Sequence, residues 1–192
     1  MNANNSGNFS RDTITLGNGV GDTVNANNSS NTIITLGNGD NDTVNGSGNG
    51  NIITLGNGNN DAVTLHFSAG GDTIITGKGL DTVTVDTHTN PDTFGFAKGT
   101  DGTSFTTITG AQAGDHVISG NNLGNNVINS ATTATTLADF IASLSGNPNG
   151  NTYVGYNTTA NDTFIVSNHG AVELVGVAFM NSSALNHVLT LA

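Results

Sequence analysis

The sequence predicts an all-β protein: a parallel β-roll or β-solenoid with rungs of about 20 residues, then a β-rich C-terminal cap holding one short helix. Three observations carry this. A turn-and-strand unit recurs through the first half of the chain, its aspartate at positions 22, 42, 61 and 81, in steps of 20, 19 and 20 residues. A second unit alternates with it, so an acidic or amide residue opens each half-turn at 12, 22, 31, 42, 51, 61, 72 and 81. Each half-turn then offers four or five strand residues rich in Val, Ile and Thr, enough for a short strand and too few for a helix.

The first unit reads Leu16-Gly17-Asn18-Gly19-Val20-Gly21-Asp22-Thr23-Val24, then Leu36-Gly37-Asn38-Gly39-Asp40-Asn41-Asp42-Thr43-Val44, then Leu55-Gly56-Asn57-Gly58-Asn59-Asn60-Asp61-Ala62-Val63. A worn copy follows at Gly77-Lys78-Gly79-Leu80-Asp81-Thr82-Val83. Alternation along the strands sets their facing. Ile14, Ile34, Ile53 and Ile75 are expected to point inward, and Thr15, Thr35, Thr54 and Thr76 outward beside them. Leu16, Leu36 and Leu55 point in again until Gly77 breaks that column, and Val24, Val44, Val63 and Val83 fill the opposite wall. The repeat is expected to end near residue 90, at His88-Thr89-Asn90-Pro91, dividing the chain into a roll over 1–90 and a capping region over 91–192.

Within the second region, Asp92 to Ala97 reads as an aromatic strand, Ser104 to Gly110 and His116 to Ser119 as further strands, and the Asn-rich stretch 121–130 as a loop. One helix is expected over 136–144: Thr136 caps it with Asp139 three residues on, Leu137, Phe140, Ile141 and Leu144 share a face, and Gly146 and Pro148 stop it. Antiparallel strands are expected over 151–157, 162–168 and 171–179, with Gly170 in a turn, and a last apolar strand over 188–192.

The net charge is −11, with Arg11, Lys78 and Lys98 the only basic residues besides histidines. Nucleic acid and anionic membrane surfaces need a cationic face and are poor partners; a cation is a good one. The absence of cysteine removes disulfides and thiolate zinc sites. No apolar run reaches membrane-spanning length, and the polar start Met1-Asn2-Ala3-Asn4-Asn5 shows no cleavable leader.

Stacked rungs place like charges about 4.8 Å apart, where they repel by roughly 3–4 kcal/mol at an effective dielectric of 20. The column Asp22, Asp42, Asp61 and Asp81 therefore calls for a cation. Carboxylates and turn carbonyls make an all-oxygen site, which suits Ca²⁺ over Zn²⁺ and, in a flexible loop, over Mg²⁺. The candidate metal set is Asp12, Gly17, Gly19, Asp22, Gly37, Gly39, Asp40, Asp42, Gly56, Gly58, Asp61, Asp72, Gly77, Gly79 and Asp81. Asn31 and Asn51 stand where a second column would carry Asp, leaving Asp12 and Asp72 at its ends.

Here a family resemblance becomes specific. Gly37 to Asn45 resembles one nonapeptide of the RTX (repeats-in-toxin) family: Gly, Gly or Asn, any, Gly or polar, any, Asp, any, aliphatic, any. The stretches 7–15, 17–25 and 56–64 match as well, and 46–54 matches with Asn51 replacing Asp. The resemblance implies a parallel β-roll with calcium shared between successive turns. The chain departs from it in half-turn steps of ten or eleven residues where the family steps by nine, and in the asparagines of the second column. Residues 105–115 and 151–192 are similar to the closing and export regions of such proteins, which implies an uncleaved C-terminal signal read by type I secretion machinery.

An enzyme is not expected. The chain lacks Gly-x-Ser-x-Gly, His-Glu-x-x-His and any cysteine, and His66, His88, His116, His169 and His187 are scattered, as surface or strand-filling residues would be. A carbohydrate-active solenoid would need carboxylates in a cleft with a basic or aromatic subsite. The expectation is a secreted, extracellular calcium-binding structural module at the C-terminus of a type I-secreted surface protein, S-layer-like or adhesin, that folds on calcium after export. Its further partners would be itself or a cell-surface glycan, with neither nucleic acid nor membrane insertion. The alternatives are the secretion tail of an RTX enzyme and an ice-binding solenoid using the outward threonines.

Overall fold

A computed structural model of the chain describes residues 2–4, 11–96, 105–119, 126–144, 151–167, 170–176, 183–185 and 188–190. The chain winds as a parallel β-solenoid whose two walls receive alternate strands. One wall runs through β1 (Asn2–Asn4), β3 (Thr23–Ala26), β5 (Thr43–Ser47), β7 (Ala62–His66), β9 (Asp81–Val85) and β11 (Phe105–Thr109), each parallel to the next. The other runs through β2 (Thr13–Thr15), β4 (Ile33–Thr35), β6 (Ile52–Thr54), β8 (Thr73–Ile75), β10 (Thr93–Phe96) and β12 (His116–Ser119), also parallel. The stack therefore does not stop at residue 90: Thr93 pairs with Thr73 and then with His116 in unbroken parallel register.

Aliphatic columns fill the space between the walls. Val24, Val44, Val63, Val83 and Ile108 align on one side, and all are buried. On the other, Ile34, Ile53, Ile74, Phe94 and Val117 align and are buried, with half-buried Ile14 at the open end. Ile74, not Ile75, is the inward member. Ile75 is the third residue after Asp72, whereas Ile14, Ile34 and Ile53 are the second after Asp12, Thr32 and Asn51, so Ile75 registers with outward Thr54 and is 36% exposed. Thr76 follows Asp72 by four residues, as Leu55 follows Asn51; it is buried, and its hydroxyl lies 2.8 Å from that of Thr106. Thr76, ahead of Gly77, thus takes over the leucine column, and the outward threonine column ends at Thr54. The neighbouring outward column reads Thr13, Ile33, Ile52, Thr73, so neither outer column on this wall is a continuous threonine ladder.

The remaining strands extend both walls. The first continues from β11 to β16 (Gly170–Val175) in parallel, then to β15 (Asp162–Ser167) and β14 (Asn151–Asn157) antiparallel, and to β13 (Asn126–Ala131) in parallel. The second is closed by β18 (Val188–Thr190), antiparallel to β12, with β17 (Ser183–Leu185) beyond it. The expected antiparallel strands are present, and Gly170 opens β16. Residues 126–130 are strand where a loop was expected; pairing along all of β14 overrides their poor intrinsic β preference. Residues 121–125 lie outside the described residues.

The helix α1 spans Leu137–Ser143. Thr136 caps it as its sequence indicates: its hydroxyl accepts the Asp139 N–H (3.1 Å) and donates to the Asp139 carboxylate (2.8 Å). Leu137 and Phe140 bury against Phe164, Val166 and Ala171, with the Phe140 and Phe164 rings stacked at 5.6 Å. The stop signals Gly146 and Pro148 lie outside the described residues. Among the described residues no helix is long and apolar enough to cross a membrane.

Candidate metal centre

Two side-chain ladders run along the solenoid edges, one at each turn between the walls. A left-handed residue precedes most ladder positions. Gly21, Asn41 and Asn60 (φ 72°, 63° and 60°) stand before Asp22, Asp42 and Asp61. Arg11, Asn31, Gly50, Gly71 and Gly114 (φ 77°, 56°, 71°, 76° and 98°) stand before Asp12, Thr32, Asn51, Asp72 and Asp115. Glycine and asparagine accept this backbone at low cost, so the pairing of Gly or Asn with a following Asp is a local signal for the turn into each strand.

In the first ladder the Asp22 N–H donates to Asp42 Oδ1 (2.7 Å), the Asp42 N–H to Asp61 Oδ1 (2.9 Å), and the Asp61 N–H to Asp81 Oδ1 (3.1 Å). Each carboxylate thus ties its rung to the one before. All four aspartates are buried, and the second oxygens of Asp42, Asp61 and Asp81 have no hydrogen-bond partner. Burial pushes the Asp61 carboxyl up to about 6; the N–H of Asp42 opposes the shift, and the charges of Asp42 and Asp40 add to it. Asp81 is pushed up to about 8, again chiefly by burial, with the Asp61 N–H opposing and the Asp61 charge adding. Asp40 is not a ladder member: it is exposed and accepts the Asn59 N–H at 2.8 Å.

Apart from Gly17, where a Cβ would meet nothing within 4 Å, the glycines of the candidate set act through close approach. A Cβ on Gly37 would lie 2.1 Å from the Gly17 carbonyl oxygen, and one on Gly39 1.6 Å from that of Gly19. Gly56, Gly58, Gly77 and Gly79 repeat this over Gly37, Gly39, Gly56 and Gly58, at 1.7, 1.8, 1.5 and 2.0 Å. A Cβ on Gly19 or Gly58 would also stand 3.0 Å from the Oδ2 of Asp22 or Asp61. The spacing Gly-x-x-Asp therefore leaves a cradle without side chain beside the second carboxylate oxygen.

The second ladder runs through Asp12, Thr32, Asn51, Asp72, Asp92 and Asp115. Thr32 holds the position, and Asn31 stands one residue earlier, exposed and left-handed: the Ile33 N–H bonds to the Asp12 carbonyl, which sets Thr32 over Asp12. Asp72 does not end this column. The Thr32 N–H donates to Asn51 Oδ1 (3.1 Å), that of Asn51 to Asp72 (2.7 Å), that of Asp72 to Asp92 (2.9 Å) and that of Asp92 to Asp115 (2.8 Å). Asp92-Thr93-Phe94 and Asp115-His116-Val117 repeat the Asp-x-apolar pattern and were the overlooked signal.

This edge supplies its own partners. The Ser68 hydroxyl donates to Asp72 Oδ2 at 2.5 Å. His88, expected as a surface or strand-filling residue, is buried among carboxylates: Nε2 lies 2.9 Å from Asp115 Oδ1, and Nδ1 lies 2.8 Å from the Asp86 carbonyl and 3.6 Å from Asp92 Oδ2. Burial alone would lower the imidazole, but its bonds to Asp115 and Asp86 and the charges of Asp92 and Asp115 outweigh it and hold it raised. Both ring nitrogens face acceptors, an arrangement that favours the protonated ring. Burial also pushes Asp92 up to about 6, against the Asp72 N–H and the His88 charge. His66 is exposed beside Asp86, while His169 and His187 lie outside the described residues.

Among the described residues no group of three or more His, Asp or Glu side chains converges as one metal site. The carboxylates are distributed one per rung instead. On the first edge the donors fit a hard cation: buried second oxygens in succession, each unpartnered from Asp42 to Asp81, with a glycine cradle beside that of Asp61. On the second edge Ser68 bonds Asp72 and His88 bonds Asp115, while the second oxygen of Asp92 has no hydrogen-bond partner and lies 3.6 Å from His88 Nδ1. Compared with known proteins, the chain matches no family model, no curated protein and no solved structure.

Proposed function

We propose that the chain is an extracellular calcium-binding structural module of the RTX kind, part of a type I-secreted surface protein, S-layer-like or adhesin, whose solenoid becomes stable when calcium loads its first edge. One observation carries this reading: Asp42, Asp61 and Asp81 bury successive carboxylate oxygens with no partner. A buried carboxylate oxygen left unpaired is costly and takes a proton or a cation. Asp22, Asp42, Asp61 and Asp81 would hold the ion with oxygen donors, and the ion would supply the positive charge that lets neighbouring carboxylates ionise together. The chain's net charge of −11 favours the same partner.

The test is a calcium titration of chelator-treated protein followed by circular dichroism and calorimetry. Saturable binding with a gain in β signal or melting temperature is expected, with Asp42→Asn weakening it and Asp72→Asn, on the edge with internal partners, having little effect. Identical spectra and melting in chelator and in millimolar calcium would rule the reading out.

A further inference from the structure

The outer side of the first wall carries two side-chain columns in one-to-one parallel register over five rungs, β3, β5, β7, β9 and β11. One column reads Thr23, Thr43, Ala62, Thr82 and Thr107. The other, two residues on along each strand, reads Asn25, Asn45, Thr64, Thr84 and Thr109. On every rung the residue between them is a buried valine or isoleucine, from Val24 to Ile108, so the columns face away from the core. All ten side chains are exposed or half-buried. Beyond Thr107 the first column meets Glu173, which accepts the backbone N–H of Leu137 at the start of α1. The open array therefore ends where the helix begins.

The chain carries a net charge of −11, yet neither column over these five rungs holds a charged residue. An exposed sheet ordinarily carries charges that keep it soluble and unpaired. Threonine suits any exposed strand position, but asparagine is depleted from strands, so β preference does not account for Asn25 and Asn45. Their amides are tied to one another: Asn45 Nδ2 donates to Asn25 Oδ1 at 3.2 Å. Threonine is stiff about χ1, so the array is ordered before any ligand arrives, which lowers the cost of binding. The opposite wall differs, its outer columns broken by Ile33, Ile52 and Ile75.

Hydroxyls, amides and methyls thus repeat at about 4.8 Å from rung to rung and roughly 6.6 Å along each strand. A ligand matched to such a grid is uncharged, donates and accepts hydrogen bonds, and is itself periodic in two dimensions. Crystalline water meets all three conditions, its surface oxygens repeating at comparable spacings. A crystalline polysaccharide would also want aromatic rings to stack on, and neither column contains one. We propose that this face of the first wall binds ice, its threonine hydroxyls and asparagine amides holding water in lattice positions over the threonine methyls. The inference goes beyond the calcium reading and does not rest on it, because no member of either carboxylate ladder belongs to the array.

The test is nanolitre osmometry on the full chain in calcium, with a fluorescently labelled sample offered to a growing ice hemisphere. Faceted crystals, a gap between melting and freezing temperatures, and entry of the label into the ice are expected. Thr43→Lys and Thr84→Lys each raise a long charged side chain from the face and should abolish the gap, with the β spectrum by circular dichroism unchanged. Thr35→Lys, on the opposite wall, should keep it. Round crystals without a gap overturn the proposal. So does a gap that survives in folded Thr43→Lys and Thr84→Lys, or one lost equally in folded Thr35→Lys. Retention on chitin or cellulose powder without any effect on ice also overturns it, since the face would then serve a polysaccharide. Ice shaping that persists in chelator would count against the calcium reading alone.

Discussion

Gly17 and Gly37 hold the same motif position one rung apart, yet they answer to different constraints. A Cβ on Gly17 meets nothing within 4 Å, whereas one on Gly37 would lie 2.1 Å from a backbone oxygen. Gly37→Ala should therefore cost about 3 kcal/mol or more by forcing two turns apart, while Gly17→Ala should be near neutral; denaturant melts of the two variants check this. The ladder carboxylates make a second prediction. Asp61 and Asp81 keep their protons in the folded chain to about 6 and about 8, against 3.8 ordinarily. Between those values the folded state binds more protons than the unfolded one, so without metal this contribution to stability falls as pH rises. The raised His88 acts in the same direction, its contribution present at low pH and lost as pH rises through the folded value. Calcium bound as proposed would replace those protons and should flatten or reverse the slope. Melting temperatures at pH 5 and pH 8, in chelator and in calcium, measure both signs.

Strands of three to five residues, such as β4 and β5, cannot hold together alone. Their order comes from stacking: Val on Val, Ile on Ile, and at each edge a side-chain oxygen accepting the N–H of the rung before. The two edges solve the resulting crowding of carboxylates differently. The second edge sets Ser68 against Asp72 and His88 near Asp92 and Asp115, and the first leaves the second oxygens of Asp42, Asp61 and Asp81 with no protein group beside them. His88→Ala should then leave Asp92 and Asp115 buried without their cation and cost about 3–5 kcal/mol. Calcium stoichiometry should not change, since His88 touches only the second edge. Chemical denaturation with a parallel calcium titration separates the two effects.

A solenoid of short rungs ends in open strand edges, and these invite pairing with another chain. The described cap meets this at both walls: β16 pairs along β11, and β18 pairs along β12. A chain cut after Ser119 keeps every rung of the stack and loses both covers. It should associate or aggregate through β11 and β12 even in calcium, as light scattering after size exclusion would show; a soluble, monodisperse fragment would remove the capping role.

The sequence by itself determined the period, the alternation of walls, the valine column, the aspartate ladder of the first edge and the helix with its Thr136 cap. Each of these is local or strictly periodic: a residue type recurs at a fixed offset, or a cap bonds three residues away. Register was another matter. Counted from Asp72, Ile75 is the third residue and Thr76 the fourth, so Ile75 faces out and Thr76 in; side chains alternate, and a slip of one in the count exchanges the faces. Tertiary structure alone decided that Asp115 joins the second ladder across an irregular 23-residue step and that His88 folds in between Asp92 and Asp115. Those partners meet through stacking and pairing of segments distant in sequence, and no spacing rule announces them.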